Sequence, residues 1–225
     1  MTGTRQHFQQ ELQGLETQAL GALDLVVGAL DRTMEALHHQ DIELASIVIA
    51  DDDRIDGRYL EVHQAILSLL ALQAPVATHL RTVAALLHVI RAVERMGDQC
   101  VNIAKLLPLT GNEPPIDDGI FARVEKMGLL ARSELEQAKQ AFRLRNAKLA
   151  EDLVRQDEQI NSLNRECFQL AVQSGTDYDR REWAMTMLLT ARALERIGDN
   201  AVDIGEQVAF VVTGLFREFS DASHP

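Results

Sequence analysis

The segment "ARALERIGDNAVDIGE", residues 191–206, has a helix-forming composition but carries a glycine near its middle. An interior glycine costs a helix about 1 kcal/mol relative to alanine. Three acidic residues around Gly198 follow one another at four-residue steps, namely Glu195, Asp199 and Asp203. Nearly the same segment, "IRAVERMGDQCVNIAK", occupies residues 90–105. The repetition predicts two helices of one design, each with a reason to keep its glycine.

The similarity between the two segments extends upstream along the chain. The motif at 94–98 matches the motif at 195–199 at a shift of 101 residues, whereas "DIELA" (41–45) resembles "NAKLA" (146–150) at a shift of 105. At the same shift of 105, "DDDRID" (51–56) resembles "RQDEQIN" (155–161). The four-residue difference is about one helical turn, so the helices of both copies can keep the same facing. The chain therefore contains an internal repeat.

Segments rich in proline or glycine interrupt the helical periodicity at 72–77, 107–119 and 173–179. Between them apolar residues recur at three- and four-residue steps, as in the stripe of Leu12, Leu15, Ala19, Leu23, Val26, Leu30 and Leu37. The pattern predicts six helices, at about 5–39, 42–72, 76–107, 117–145, 147–174 and 179–218. Asp41 and Asn146 are good N-cap residues for the second helix of each copy.

The expected fold is all-α, with two tandem, internally repeated three-helix bundles made of six long antiparallel helices. The first repeat is expected over residues 1–107 and the second over 117–225, joined by a proline-rich linker at 108–116.

The composition limits the classes of function. The chain has 225 residues and a net charge of −12, so a nucleic-acid-binding surface is not expected, because phosphate binding needs clustered lysine and arginine. The amino terminus has no apolar run typical of a signal peptide, and no segment is long enough to span a membrane. Cys100 and Cys167 form no CxxC motif, which favours two reduced thiols. We expect a cytoplasmic protein without membrane insertion.

The acidic stripe of the repeated helix lies away from that helix's apolar stripe, so it faces outward. A solvated face is the ordinary explanation for such a stripe. However, the stripe recurs in the first copy at Glu94, Asp98 and Asn102, and acids four residues apart repel each other. Clustered acids therefore suggest a bound cation.

The preceding helix of each copy offers further oxygen ligands. Asp52 and Asp56 lie as far before their turn as Glu94 and Asp98 lie after it, and antiparallel packing would bring the two pairs to one level. Hard cations such as Mg²⁺, Mn²⁺, Ca²⁺ or oxidised iron prefer oxygen ligands. Gly97 and Gly198 either let a ligand or helix approach closely or serve plain helix packing. The candidate metal ligands are Asp52, Asp56, Glu94, Asp98, Asn102, Asp157, Glu195, Asp199 and Asp203, with Asn161 beside Asp157.

Other catalytic patterns are weak. Glu35 and His38 form a single ExxH pair, whereas a carboxylate-bridged di-metal oxidase needs two such pairs on facing helices. The sequence has no glycine-rich phosphate loop, no GxSxG motif and no Cys/His cluster. We expect no enzyme; the alternatives left open are that oxidase and a purely structural helical scaffold.

Four segments together resemble the PhoU family of phosphate-uptake regulators: "ERMGDQCVNIAK", "ERIGDNAVDIGE", "QAPVATHLR" (73–81) and "QVAFVVTG" (207–214). The resemblance implies that metal clusters, of iron, manganese, magnesium or zinc, bind the pairs Asp52–Asp56, Glu94–Asp98 and Glu195–Asp199. The fourth pair, Asp157–Asn161, departs from the motif by ending in an amide. The resemblance also implies a homodimeric adaptor that represses the phosphate-starvation response. Its partners would be the ATPase subunit of a phosphate ABC transporter and a membrane sensor histidine kinase.

Overall fold

The computed structural model describes residues 2–110 and 117–219, which form six long α-helices and contain no strand. The first half consists of α1 (Thr2–His39), α2 (Ile42–Gln73) and α3 (Ala77–Leu106), followed by a 3-10 turn at Leu107–Leu109. The second half consists of α4 (Asp118–Leu144), α5 (Ala147–Val172) and α6 (Tyr178–Thr213). Each helix packs against the other two of its half. The predicted all-α fold of two repeated three-helix bundles is confirmed.

The apolar stripes predicted from the sequence form the core. The stripe of α1 is buried along its whole length, at Leu12, Leu15, Ala19, Leu23, Val26, Leu30 and Leu37. The buried residues of both halves belong to one continuous hydrophobic cluster, which stabilises the halves as one body. In the part of the chain described here, no helix has the length and apolar character needed to cross a membrane.

The turn between the first and second helices is built identically in both halves. Gln40 and Arg145 adopt left-handed backbone conformations, with φ of 53° and 50°. The next residue is the N-cap: the Asp41 carboxylate accepts a 2.9 Å hydrogen bond from the first turn of α2, and the Asn146 side-chain oxygen accepts bonds of 3.0 and 3.3 Å from α5. Both predicted caps are therefore confirmed, and the repeat is visible in the backbone itself.

The predicted end of the last helix at residue 218 is wrong. The helix α6 ends at Thr213, and Gly214 takes a left-handed conformation with φ of 76° while its N–H donates to the Phe210 carbonyl at 2.8 Å. Glycine reaches this conformation without steric cost and commonly terminates helices in this way. The apolar residues after Gly214 continue the composition of the helix but not its backbone.

The two halves meet along two pairs of helices, α3 with α6 and α1 with α4. Ion pairs join α1 to α4 and to the residue that follows it: Asp31–Arg132 at 2.8 Å, Asp24–Lys139, and Glu16–Arg145 at 2.6 Å. Residues 111–116 of the predicted linker 108–116 lie outside the described residues, so the division at that linker stays a prediction.

Candidate metal centres

Gly97 and Gly198 mark the places where the second helix of each half approaches the third most closely. A Cβ added at Gly97 would lie 3.1 Å from Asp52 Oδ1 and 3.1 Å from the side chain of Ile55. At Gly198, an added Cβ would lie only 2.6 Å from Asp157 Oδ1, closer than real Cβ contacts come. Each glycine therefore serves helix packing and also lets an aspartate rest against bare backbone.

Four predicted ligands of the first half, Asp52, Asp56, Glu94 and Asp98, lie close enough for their charges to interact. Burial, and then the charges of Asp56 and Asp98, raise the pKa of Asp52 from 3.8 to about 6. Burial also raises the pKa of Glu94; Arg91, whose guanidinium lies 3.4 Å from Glu94, opposes this shift, while Asp98 and Asp56 add to it. The charges of Asp56 and Asp98 thus disfavour the ionised forms of Asp52 and Glu94. A bound cation would relieve this repulsion.

A cavity of about 150 Å³ opens beside this first-half cluster, between α1, α2 and α3. Its walls include Ala29, Asp52, Gly97 and Cys100. The Cys100 thiol is fully buried, and burial raises its pKa to about 12, so it stays protonated and offers no thiolate ligand. The lining also includes charged groups of both signs, Asp24, Asp51, Arg32 and Arg54, so the cavity is a polar space beside the cluster.

In the second half, Asp157 and Asn161 are both buried on α5. The Asn161 amide donates a 2.7 Å hydrogen bond to Asp157 Oδ2. Glu195, on α6, contacts the Arg192 guanidinium one turn earlier. The amide at position 161 therefore orients Asp157 instead of adding the second charge that Asp56 provides in the first half.

Sequence reasoning missed Glu134 of α4, which lies beside Asp157. Its side chain is completely buried, and neither carboxylate oxygen has a hydrogen-bond partner. Burial, followed by the charges of Asp157 and Asp199, raises the pKa of Glu134 from 4.5 to about 9. A signal existed in the sequence, because this glutamate interrupts the apolar stripe of Met127, Ala131, Leu135 and Ala138.

Two predicted ligands stand apart from the clusters. Burial raises the pKa of Asp203, and Arg95 and His88 of α3 oppose the shift. Asn102 is exposed on α3. Both residues lie one turn beyond the repeated motif, where the helix has rotated away from its hairpin partner.

Within residues 2–110 and 117–219, no three His, Cys, Asp or Glu side chains already stand at metal-binding distance from one point. The donors that do gather are carboxylate oxygens, which suit hard cations rather than soft ones. The single ExxH pair is used differently, because His38 Nδ1 lies 2.5 Å from Glu125 of α4. The donor set therefore fits an oxygen-seeking cation.

The fold and these clusters define a class of all-α protein in which two repeated three-helix bundles each carry carboxylates on the second and third helices. The PhoU domain family model matches the chain twice, over residues 21–107 and 124–208. A PhoU homolog of Clostridium acetobutylicum, called a phosphate-specific transport system accessory protein, is 28% identical over 220 residues, covering 97% of this chain and 100% of the relative. The homolog of Zymomonas mobilis is 31% identical over 208 residues, covering 92% and 87%. This chain belongs to the PhoU family.

Solved structures support the same assignment. The crystal structure of the phosphate transport system regulatory protein PhoU from Streptococcus pneumoniae is 28% identical and superposes with a TM-score of 0.83, covering 93% of this chain and 99% of that one. PhoU from Pseudomonas aeruginosa superposes with a TM-score of 0.87, covering 92% of this chain and 100% of that one. At 24% identity the latter supports the fold alone.

Proposed function

We propose that this protein is an accessory regulator of phosphate transport that restrains phosphate uptake and the phosphate-starvation response when phosphate is plentiful. The observation that carries the proposal is the match of both halves to the PhoU domain. Relatives that align over 97% and 92% of the chain are named phosphate-specific transport system accessory proteins. The regulator acts by docking and not by catalysis.

Docking is proposed to involve two partners in the cytoplasm, the ATPase subunit of a phosphate ABC transporter and a membrane sensor histidine kinase. The protein is proposed to act as a homodimer. The net charge of −12 favours basic partner surfaces, and long helices provide extended faces for contact. Electrostatic steering predicts slower association at high salt, because the screening length falls from about 10 Å at 0.1 M to about 3 Å at 1 M.

Metal binding is the second part of the proposal. Multivalent cations bind Asp52, Asp56, Glu94 and Asp98 in the first half. In the second half they bind Asp157, Glu195 and Asp199. The support is the raised pKa of Asp52 and Glu94, which comes first from burial and then from neighbouring carboxylates whose repulsion a cation would reduce.

The test of the regulatory role is a deletion strain grown in high phosphate, with phosphate uptake and an alkaline-phosphatase reporter as readouts. Loss of the protein should raise both, and the wild-type gene should restore repression. A reporter that stays silent in the deletion strain, together with pull-downs that recover neither partner, would contradict the proposal. A dioxygen electrode with ferrous iron separates an oxidase, which consumes dioxygen, from an adaptor, which does not.

A further inference from the structure

The carboxyl group of Glu134 is an unusual feature of this core. It is fully buried on α4, and no group in the described structure donates a hydrogen bond to either of its oxygens. A buried polar group without a partner is costly and rare, so each instance requires an explanation. A protein that needed only packing here would carry an apolar residue, as the stripe on either side does.

The Glu134 carboxylate is aimed at the acidic cluster of the second half. Its Oε2 lies 2.9 Å from the point where a Cβ of Gly198 would stand, and Asp157 Oδ1 lies 2.6 Å from the same point. Asp199, the residue after this glycine, is close enough for its charge to act on Glu134. Carboxylate oxygens from α4 and α5 therefore face one spot beside the bare backbone of α6, and Asp199 of α6 lies near enough for its charge to act there.

The hydrogen bond from Asn161 sets the orientation of this group. The Asn161 amide holds Asp157 Oδ2 at 2.7 Å, which leaves Oδ1 as the oxygen that faces Gly198. The amide at this position, which breaks the acidic motif, thereby directs one aspartate oxygen inward. This use differs from that of Asp56, which occupies the equivalent position in the first half and contributes charge.

The first half lacks the inner carboxylate. Gln40–Asp41 in the first half correspond to Arg145–Asn146 in the second half at a shift of 105 residues. At the same shift, Ala29 corresponds to Glu134. Ala29 lines the cavity of about 150 Å³ that also borders Asp52 and Gly97. Where the second half has a buried carboxylate, the first half has open space.

We propose that the second half contains an inner cation site in which Glu134, Asp157 and Asp199 bind one multivalent, oxygen-seeking cation, and that the first half has no such site. The inference rests on the proposed metal binding and adds to it a ligand from α4. Three carboxylates from three helices neutralise a divalent or trivalent ion and satisfy the Glu134 oxygens at once. The second half then binds its cation more tightly than the first.

The experiment uses Mn²⁺ alone as the probe, titrated calorimetrically into the full chain. A background with Glu94→Gln and Asp98→Asn removes first-half ligands, so the remaining binding reports the second half. In that background Glu134→Gln should weaken Mn²⁺ binding at least tenfold, since even outer-shell changes cost 10–100-fold. Glu134→Asp, which keeps the charge but shortens the reach, should also weaken it and serves as the second variant if the glutamine variant does not fold.

A reverse variant in the first half provides the matched control. In a background with Glu195→Gln and Asp199→Asn, Ala29→Glu should place a carboxylate in the cavity and strengthen Mn²⁺ binding by the first half. If Glu134→Gln leaves Mn²⁺ affinity unchanged while Glu195→Gln with Asp199→Asn abolishes binding, the inner site is wrong and the proposed metal binding stands. If the wild-type chain binds no Mn²⁺, the proposed metal binding and the inner site are both wrong. The deletion strain tests the regulatory role independently.

Discussion

The two halves of this protein use the same backbone arrangement to build two different acidic clusters. In both, a glycine on the third helix lets an aspartate of the second helix rest against bare backbone, at Gly97 with Asp52 and at Gly198 with Asp157. The first cluster borders a cavity, whereas the buried carboxyl group of Glu134 lies beside the second cluster. The repeat has kept the helix approach while the ligands around it have diverged.

The difference shows that similar motifs need not make equivalent sites. The first half gathers four acids whose charges act on one another near the surface. The second half replaces one of these acids with the amide of Asn161 and adds a carboxylate from the core. Desolvation strengthens electrostatic interactions, so we expect a cation to bind the buried cluster more tightly.

The largest expected effect is on bound metal. Glu195→Gln with Asp199→Asn keeps the side-chain shapes but removes two charges, and should lower the metal bound at saturation by about half. Glu94→Gln with Asp98→Asn is the matched pair in the first half. Elemental analysis after dialysis against limiting Mn²⁺ should show the second-half variant losing more metal. Unchanged metal content in both variants would contradict both assignments.

Alanine substitution should lower the free energy of unfolding more at Gly198 than at Gly97. Gly198→Ala would press a Cβ against Asp157 and Glu134, so we expect a loss of about 1–3 kcal/mol in the free energy of unfolding, typical of overpacking. At Gly97 the contacts are 3.1 Å, and the gain in helix propensity of about 1 kcal/mol offsets most of the smaller strain. Urea denaturation measures both. Equal losses at the two positions would contradict the closer approach at Gly198.

The pH dependence of the metal-free protein should also differ between the halves. The pKa of Glu134 is about 9 in the folded chain and near 4.5 when unfolded, so the unfolded chain releases its proton first as pH rises. The free energy of unfolding should therefore fall between those values, by about 1.4 kcal/mol per pH unit, and Glu134→Gln should remove this contribution, most clearly above pH 6. For Asp52 the corresponding window runs only from 3.8 to about 6. Denaturation with a chelator present tests this; identical slopes in the wild type and Glu134→Gln would contradict it.

The sequence predicted much of this structure because its strongest signals are local. Apolar periodicity and breaks located the six helices, and Asp41 and Asn146 marked two caps correctly. In the first half, the charges of Asp56 and Asp98 act on Asp52 and Glu94, while the metal site itself stays a prediction. These features depend on residues within one helix or one hairpin.

The remaining features depend on packing between more distant elements. The acidic neighbours of Glu134 lie on α5 and α6. Its position in an apolar stripe could show that this glutamate is unusual, but it could not show which residues surround it. The direction of Asp203 depends on how α3 meets α6 across the two halves. The end of α6 depends on the conformation of Gly214, because an apolar composition continues past it.

The smallest difference is expected at the two N-caps. Asp41→Ala and Asn146→Ala should each cost about 1 kcal/mol, because each removes the side-chain acceptor that satisfies the first turn of a helix. Thermal denaturation should therefore show nearly equal losses. A loss at one cap only would indicate that the shared turn geometry does not contribute equally in the two halves.

The central claim is that each half binds a cation and that the cation site of the second half is more buried. An anomalous difference map tests this claim most directly. Crystals grown with Mn²⁺ should be measured near the manganese absorption edge. We predict the strongest peak among Glu134, Asp157 and Asp199, at oxygen distances of about 2.0–2.6 Å, and a weaker one beside Asp52 and Asp98. A map without a peak at either cluster, or with its strongest peak elsewhere, would contradict the account.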